Sequence, residues 1–433
     1  MKVYKLLIAL SISLMLIFTA CEDRSDLTAP QAPSTGSADF SKFYSLGNSL
    51  TQGEQGGSVF QSAQQYSYTN LIAQQVQTSY VYPIFPDPGS GGRIEVVTID
   101  PFVTTTNTNA TTPTNLTYDG VYNNLGVKGA FLWDVFNATT ASDCYTATQL
   151  TAYGVSVPNP MFDAVLRGQG TMLQQAIASN PSLVTLWIGN NDVLAYATRG
   201  GLFPPTQPAQ FQEWYGTILG QLSAAGIDVV VANIPNVTGV PFFNTVGPQL
   251  IAQGISVVVG TKSDGTIAPM DLTKNLLLLT ATTELAAGKG TSADNPLSNG
   301  VILDEGEIAN AVALVNGYNQ IIAGLAAAYG YSVVDINSVF DDIAKNGLTM
   351  DGMQFSSQYV NGGLFSLDGV HPSNHGYALI ANEFIKVINS KFGASIPLVN
   401  MGTIPASLPL SSSSTSKVGS DSFDSSAFDR ILF

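Results

Sequence analysis

The chain has 433 residues, of which 45% are hydrophobic and 11% are charged, and its net charge is −15 at pH 7. This is enough apolar sequence to bury a large core, in one large domain or two smaller ones. The acidic residues outnumber the basic ones by 31 to 16, and no basic cluster appears. Because phosphate backbones are bound by Lys/Arg patches, we expect no nucleic-acid partner.

The N-terminal residues predict export. Lys2 and Lys5 precede an apolar stretch at 6–20, which is shorter than the roughly 20 residues that cross a bilayer. Small residues then lead directly to Cys21. The pattern predicts a lipoprotein signal peptide over residues 1–20, with Cys21 as the lipidated first residue of the mature protein. An ordinary cleaved signal followed by a chance cysteine is the alternative.

Both ends of the mature chain read as polar segments. Residues 21–39 are rich in Ser, Thr, Pro, Ala and Asp and predict a flexible tether. A lipid on Cys21 predicts an outer-membrane lipoprotein of a Gram-negative bacterium, and the acidic "EDRSD" after it resembles a surface-export signal. Residues 396–433 are predicted to form a partly disordered C-terminal tail.

Strand-like and helix-like segments alternate between these ends. Buried strands are predicted at 43–47, 183–189, 228–234 and 332–336, and helices at 67–77, 211–226, 307–330 and 374–392. Strands that are apolar on both faces and separated by helices are typical of a parallel sheet covered on two sides. We therefore predict an α/β domain over residues 40–395, a three-layer α/β/α sandwich. Two long interruptions, near 80–125 and 236–304, predict elaborations over the sheet edge.

A serine follows the first predicted strand, in "FYSLGNS", which ends at Ser49. In parallel α/β sheets, ligands bind beyond the carboxyl ends of the strands. Ser49 is therefore either part of a plain turn or a nucleophile. Nucleophilic catalysis by serine needs a base, an acid that orients the base, and donors for the oxyanion.

The two histidines of the chain both lie in "SLDGVHPSNHGYALIANEF". His371 follows Asp368 by three residues, and within a turn this spacing lets the carboxylate reach the imidazole. Such a carboxylate would fix the tautomer of His371 and stabilise its imidazolium form. A helix start that carries incidental histidines is the alternative.

Two further stretches offer oxyanion donors. "LWIGNND" at 186–192 ends a buried strand in an Asn pair, whose side-chain amide can point at a developing oxyanion. "YNNLGVKGAFLWDV" at 122–135 places glycines after an Asn, where a bare backbone N–H can approach a substrate. Taken singly, each is also explained by a turn or a helix start.

Together, these stretches resemble the sequence blocks of the SGNH, or GDSL-like, hydrolase superfamily, in the right order over about residues 41–392. "GNSLTQG" resembles block I, "NNLGVKGA" block II, "GNND" block III and "DGVHP" block V. The resemblance implies a flavodoxin-like fold and a serine ester hydrolase. It implies that Ser49 is the nucleophile, His371 the general base and Asp368 its orienting acid. The implied oxyanion donors are the backbone N–H groups of Ser49 and Gly129 and the side chain of Asn191.

The sequence departs from the family pattern in block I, where Asn48 replaces the usual Asp. That Asp is not catalytic in the family, so we expect altered local hydrogen bonding and retained activity. In block II, Gly126 is the alternative donor to Gly129, and in block III Asn190 is the alternative to Asn191.

The remaining reactive side chains are assigned structural roles. His375 is predicted to be a structural residue at a helix start. Cys144 is left unpaired if Cys21 carries a lipid, and it is expected to be a small buried hydrophobe. With two His and two Cys, neither Cys near a His, we predict no metal site and no cofactor.

The expected substrate is an ester, either a lipid or an acylated glycan. The main prediction is a carboxylic ester hydrolase of the lipase or acylesterase type. The alternatives are a carbohydrate acetylesterase and an inactive surface binding lipoprotein. An apolar segment at 275–285 is either a wall for an acyl chain or a buried helix, and "WDVF" at 133–136 either lines the pocket or packs in the core.

Overall fold

The computed structural model describes residues 33–100 and 102–411. The predicted signal peptide, Cys21, most of the tether and residues 412–433 lie outside these described residues. The strands are β1 (Phe43–Gly47), β2 (Arg93–Ile99), β3 (Phe102–Asn107), β4 (Leu183–Trp187), β5 (Asp228–Ala232), β6 (Val257–Thr261), β7 (Ile267–Asp271), β8 (Leu276–Leu277), β9 (Ile302–Leu303), β10 (Ser332–Val334), β11 (Leu348–Met350) and β12 (Met353–Phe355).

The α-helices include several single turns and four long segments. They are α1 (Ser49–Gln52), α2 (Gln61–Gln64), α3 (Tyr68–Gln75), α4 (Asp134–Asn137), α5 (Tyr145–Thr148), α6 (Met161–Leu166), α7 (Met172–Ala178), α8 (Asn191–Ala197), α9 (Pro208–Ala224), α10 (Pro241–Asn244), α11 (Val246–Ala252), α12 (Ala281–Ala286), α13 (Glu305–Ala328), α14 (Ile336–Asn346) and α15 (Asn374–Phe392).

A parallel sheet with the strand order β1–β4–β5–β10 forms the centre of the domain. Strand β4 lies between two neighbours and all five of its residues are buried, as its predominantly apolar sequence predicts. The segment 123–127 continues the sheet beyond β1, because the Ser45 N–H donates to the Asn123 carbonyl (2.8 Å) and the Leu125 N–H donates to the Ser45 carbonyl (2.9 Å). The block II loop is therefore attached to the strand that leads to Ser49.

Helices cover both faces of the sheet. On one face α3 and α15 pack together, and Tyr68 stacks on Phe384 with ring centroids 4.7 Å apart. Trp187 of β4 lies edge-on to Tyr68 at 5.6 Å. On the other face α9 and α13 pack together, with Phe211 stacked on Tyr318 at 4.0 Å. Burial of each large apolar side chain contributes about 1.5–3 kcal/mol. The predicted three-layer α/β/α fold is confirmed.

Within the described residues, α13 is long and apolar enough to cross a membrane by length and composition alone. Its Tyr318 and Ile322 are fully buried against the rest of the domain. The helix begins with a capping box in which the Asp304 side chain accepts from the Glu307 N–H and the Glu307 side chain accepts from the Asp304 N–H. We therefore interpret α13 as a core helix.

Small antiparallel hairpins elaborate this frame. The interruption at 80–125 contains the hairpin β2–β3, and the interruption at 236–304 contains β6–β7 and the short pair β8–β9. A further hairpin, β11–β12, follows α14 and was not predicted from the sequence. The strands predicted at 183–189 and 228–234 end two residues earlier, at Trp187 and Ala232.

Residues 396–411, which the sequence analysis placed in the tail, lie against the domain. The Asn382 side chain accepts from the Val399 N–H (2.7 Å) and donates to the Val399 carbonyl (3.0 Å). The Ser411 N–H donates to the carbonyl of Val96 in β2 (2.8 Å). Met401 is fully buried. The chain therefore remains folded up to the last described residue.

Candidate active site

Ser49 lies two residues after the end of β1. Strand β1 stops at Gly47, and a Cβ there would lie 2.5 Å from the Trp187 carbonyl oxygen, so only glycine fits. Asn48 then caps the turn α1, because its side-chain oxygen accepts from the Leu50 N–H (3.0 Å). This cap sets Ser49 at the sheet edge, with 4% of the residue exposed.

Ser49, His371 and Asp368 form a continuous hydrogen-bonded chain. The Ser49 Oγ lies 2.9 Å from the His371 Nε2, and the His371 Nδ1 lies 2.9 Å from the Asp368 Oδ2. An ionised carboxylate only accepts, so the Nδ1 carries the proton and the Nε2 is left to accept from the serine hydroxyl. The structure thus brings together the three residues that the sequence motifs singled out.

The carboxylate of Asp368 is fixed by its own loop and by the loop after Ser49. Its Oδ1 accepts from the N–H groups of Val370 and His371, both at 2.8 Å, and its Oδ2 accepts from the Gly57 N–H at 2.8 Å. Burial alone would raise the pKa of Asp368, but the His371 charge and these hydrogen bonds bring that pKa below its ordinary value. Asp368 is therefore ionised when it faces the imidazole.

The pKa of His371 is raised above its ordinary value of 6.5. Burial acts in the opposite direction, and the nearby carboxylates of Glu54 and Asp368 outweigh it. Both carboxylates favour the imidazolium, which is the form that a general base adopts after it takes the serine proton.

Sequence reasoning missed a buried ion pair beside His371. The Glu54 Oε2 lies 3.5 Å from the His371 Nε2, and the Glu54 Oε1 lies 2.7 Å from the Lys128 Nζ. The Glu54 side chain is fully buried and that of Lys128 is 8% exposed. In a chain with 11% charged residues, two charges next to blocks I and II were a usable signal.

The carboxylates near His371 also have the spacing of a cation site. Ligand atoms of Glu54, Asp368 and His371 all lie within 4.8 Å of one another. The ammonium group of Lys128, however, already supplies a positive charge next to Glu54, and the His371 Nε2 already faces Ser49. These contacts fit an acid–base site better than a resident metal.

The two candidate glycines of block II differ in geometry. The Gly126 N–H donates to the Asn124 side chain (2.9 Å) and is therefore occupied. The Gly129 N–H has no acceptor within the described part of the chain, and Gly129 has a φ of +77°, which favours glycine. This geometry favours Gly129 as the oxyanion donor, and the role itself stays a prediction.

Asn191 opens helix α8 and lies beside the block II loop. One hydrogen of its amide is donated to the Ala130 carbonyl (2.8 Å), which leaves the second available. Asn191 and Ser49 line the same cavity. The neighbouring Asn190 also lines this cavity, and its side-chain oxygen accepts from the Asn48 amide at 3.2 Å. The bond from Asn191 to the block II loop favours Asn191 for the donor role, which stays a prediction.

Two buried carboxyl groups hold the loop that carries Gly129. The Asp192 side chain accepts from the Leu132 N–H (2.9 Å), and the Asp134 side chain accepts from the Phe131 N–H (2.8 Å) and the Tyr145 N–H (2.6 Å). Burial raises the pKa of Asp192 to about 7 and that of Asp134 to about 8, although the hydrogen bonds oppose the rise.

A cavity with an empty volume of about 760 Å³, including space open to solvent, lies beside Ser49. More than half of its lining side chains are apolar, among them Val237, Val240, Phe340 and Phe365. Two of these come from the start of the 236–304 insertion, one from α14 and one from the loop before His371.

Neither apolar segment that was considered as a pocket wall lines this cavity. In the segment 275–285, Leu277 and Leu278 are buried in the core, and Leu279 borders a different groove. In "WDVF" at 133–136, Trp133 packs near Tyr145 with ring centroids 6.2 Å apart. The alternative that this segment is buried core is confirmed for Leu277 and Leu278. These two residues belong to strand β8 and the position directly after it, and not to the helix that the sequence predicted.

His375 and Cys144 lie outside the hydrogen-bonded chain of the site. His375 is in the first turn of α15, and its ring lies 5.3 Å from that of Phe355. Burial lowers the pKa of His375. Cys144 is buried, and burial raises the pKa of its thiol. Both placements suit structural roles.

Comparison with known proteins identifies the family of the chain. Residues 43–384 match the model of the family described as GDSL-like Lipase/Acylhydrolase. The chain belongs to this family, which lies within the SGNH hydrolase superfamily. No curated protein matched the sequence.

Solved structures with a similar course of the chain include three hydrolases. LAE5, an alpha/beta hydrolase enzyme from the metagenome of Lake Arreo in Spain, is 14% identical with a TM-score of 0.36, covering 81% of this chain and 96% of its own. Axe2, an acetylxylan esterase from Geobacillus stearothermophilus, is 12% identical with a TM-score of 0.35, covering 82% and 96%. The acetyl xylan esterase AlAXEase is 14% identical with a TM-score of 0.33, covering 79% and 98%. At this level of similarity we draw nothing about the substrate from them.

Proposed function

We propose that this protein is a carboxylic ester hydrolase that works through an acyl-enzyme on Ser49. The observation that carries the proposal is the chain of two 2.9 Å hydrogen bonds from the Ser49 Oγ through the His371 imidazole to Asp368. A serine with a base and an oriented acid in this order is the arrangement that activates a hydroxyl for acyl transfer.

In the proposed reaction, the His371 Nε2 takes the Ser49 hydroxyl proton while the Oγ attacks the ester carbonyl. The oxyanion is held by the N–H groups of Ser49 and Gly129 and by the Asn191 amide. The imidazolium of His371 then gives its proton to the leaving alcohol. Water, deprotonated by the same nitrogen, attacks the acyl-enzyme, releases the acid and restores Ser49.

The cavity favours an acyl group longer than acetate. Its walls beside Ser49 are formed largely by aliphatic and aromatic side chains, including Leu194, Val237 and Phe340. Burial of an apolar acyl chain against such a surface is favourable by about 25 cal/mol per Å² of apolar area removed from water. The lipase or acylesterase activity is therefore our main proposal, and acetylesterase activity on glycans and an inactive binding lipoprotein become outcomes of the test.

We also propose that the protein is exported and anchored through a lipid on Cys21, at the outer membrane of a Gram-negative bacterium. The support is the sequence before Cys21, which lies outside the described residues. Metabolic labelling with an alkyne fatty acid tests it: the wild-type chain should be labelled and Cys21→Ser should not. Equal labelling of both chains would overturn the anchor.

The activity is tested by hydrolysis of p-nitrophenyl esters from acetate to palmitate, with Ser49→Ala as the inactive control. Ala344→Trp adds a large side chain at the cavity, and Lys345→Trp places it on the next, exposed position of α14 outside the cavity lining. We expect activity to rise with chain length, and Ala344→Trp to reduce turnover of the longer esters more than that of acetate. Lys345→Trp should leave the preference unchanged.

Other results would redirect the proposal. Activity confined to acetate would favour an acetylesterase. Equal rates for the wild type and Ser49→Ala would remove Ser49 as the nucleophile for these esters and bring the binding lipoprotein forward.

A further inference from the structure

We propose that Glu54 is a second positioning carboxylate for His371, held in place by Lys128, and that this ion pair sets the charge balance of the base. The catalytic consequence rests on the function proposed above. The positional claim rests on contacts alone and has a test that needs no substrate.

The contacts form a closed ring around the imidazole. The His371 Nδ1 bonds to Asp368, whose Oδ2 accepts from the Gly57 N–H (2.8 Å). The Gly57 carbonyl accepts from the Lys128 Nζ (2.6 Å), and the Nζ is paired with Glu54 at 2.7 Å. The Glu54 Oε2 returns to the His371 Nε2 at 3.5 Å. Each nitrogen of the imidazole therefore faces a carboxylate.

The geometry of Glu54 is not that of a simple partner for Lys128. The Lys128 Nζ and the Glu54 Oε1 form an ion pair, but their angles do not meet those of a hydrogen bond. The Glu54 Oε2 has no hydrogen-bond partner within the described residues. A fully buried carboxylate oxygen without a partner is costly. This oxygen lies 3.5 Å from the His371 Nε2, the nitrogen that takes the serine proton in the proposed reaction, which gives that cost a functional explanation.

The ion pair also links the two halves of the site. Lys128 directly precedes Gly129, and its own N–H donates to the Gln52 side chain (2.7 Å) in the turn that Ser49 begins. When the His371 Nε2 takes the Ser49 proton, the new positive charge on the imidazole faces the Glu54 Oε2. The Glu54 Oε1 is paired with Lys128, the residue before the predicted oxyanion donor Gly129. The charge on Glu54 thus stabilises the imidazolium, and Lys128 limits that effect.

Among the described residues, the charged groups that act most strongly on His371 are Glu54 and Lys128 from the block I and block II loops, and Asp368 from its own loop. Tyr377 and Tyr359 lie near these carboxylates, and burial raises the pKa of both phenols far above neutrality, so they stay uncharged. Removal of one charge should therefore shift the pKa of His371 in a direction that follows from the sign of that charge.

The experiment is an NMR titration of the imidazole signals in the purified chain, which contains only two histidines. His375→Gln assigns the His371 signal by loss of the other. Glu54→Gln removes the negative charge and should move the His371 titration to lower pH. Lys128→Met removes the positive charge and should move it to higher pH. In Glu54→Gln/Lys128→Met the titration should lie below that of the wild type, because the charge of Glu54 acts on the pKa of His371 more strongly than that of Lys128.

The opposite shifts separate a positioning role from loss of packing. Equal titrations in all variants, or shifts of the two single variants in the same direction, would overturn the proposal. If one single variant does not fold, the double variant still decides, since a titration at or above the wild-type pH would also overturn it. Where ester hydrolysis is present, the acidic limb of kcat/KM should move with the NMR titration. Shifted titrations without any hydrolysis would leave this inference standing and remove the proposed function.

Discussion

The two sides of Ser49 are built from different chemistry. On the side of the base, four ionisable groups surround the reaction, namely His371, Asp368, Glu54 and Lys128. On the oxyanion side, the predicted donors are themselves uncharged amide and backbone N–H groups, and the carboxyl groups of Asp134 and Asp192 accept hydrogen bonds from the loop that follows Gly129. In the proposed mechanism, charge therefore controls a proton on one side of Ser49, and fixed dipoles hold the oxyanion on the other.

The charged side should be the most sensitive to a single substitution. Asp368→Asn keeps the size of the side chain but presents an amide that donates to the imidazole, which favours the wrong tautomer of His371. We expect kcat for an ester substrate to fall about 10⁴-fold. Asp342→Asn, on the exposed face of α14, is the matched control and should be near wild type. A loss below tenfold would mean that Asp368 does not set the tautomer of His371.

A substitution on the oxyanion side should reduce activity less than one on the side of the base. Asn191→Ala removes one predicted oxyanion donor and should lower kcat about 10²–10³-fold, with little change in KM. The Ala130 carbonyl also loses its donor, at about 1–3 kcal/mol of stability, so thermal unfolding must be followed in parallel. Asn346→Ala on the surface serves as the control. An unchanged kcat in a folded Asn191→Ala protein would remove Asn191 from the oxyanion site.

The carboxyl groups behind the neutral side should make stability fall as pH rises. Between the ordinary Asp pKa of 3.8 and about 8, folded Asp134 keeps a proton that the unfolded chain has released. Unfolding in this window therefore releases a proton, and the free energy of unfolding should fall by up to about 1.4 kcal/mol per pH unit. Urea unfolding at pH 5 and pH 7 measures the slope. It should be smaller in Asp134→Asn and unchanged in Asp228→Asn, an exposed control; equal slopes in all three would contradict the assignment.

The smallest effect is expected at the departure from the family pattern. In Asn48→Asp the new carboxylate can still accept from the Leu50 N–H, and the Asn190 amide can turn to donate to it. We expect kcat/KM to change less than about tenfold, or 1.4 kcal/mol. A larger loss would show that the neutral side tolerates no charge next to Ser49.

The sequence predicted the frame better than the lining of the site. Strand β1 and helix α15 have the predicted bounds, because a short apolar run that ends in glycine defines the strand and clear caps define the helix. Ser49, Asp368 and His371 were found because they lie in short motifs at segment ends. The pair of Glu54 with Lys128 was missed because the two residues are distant in sequence, and periodicity carries no information on such contacts.

The same limit explains why the residues that line the cavity were not predicted from the sequence. The apolar run at 275–285 was a reasonable candidate from composition alone, yet Leu277 and Leu278 are core residues. The actual walls, such as Val240 and Phe340, come from segments that have no distinctive pattern. Which apolar side chain faces a cavity and which faces the core is decided by tertiary packing, which local sequence does not encode.

The ordered C-terminal segment limits how far the expressed protein can be shortened at its C-terminus. A chain ended at 395, the boundary that the sequence suggests, would lack Pro405 and Ser407, which bond the side-chain amide and the N–H of Asn374. Asn374 in turn accepts from the Gln55 side chain, next to Glu54. A shortened expression product would therefore lose hydrogen bonds that hold Asn374 and, through it, Gln55 beside Glu54, whereas a purification tag placed after residue 411 leaves these bonds intact.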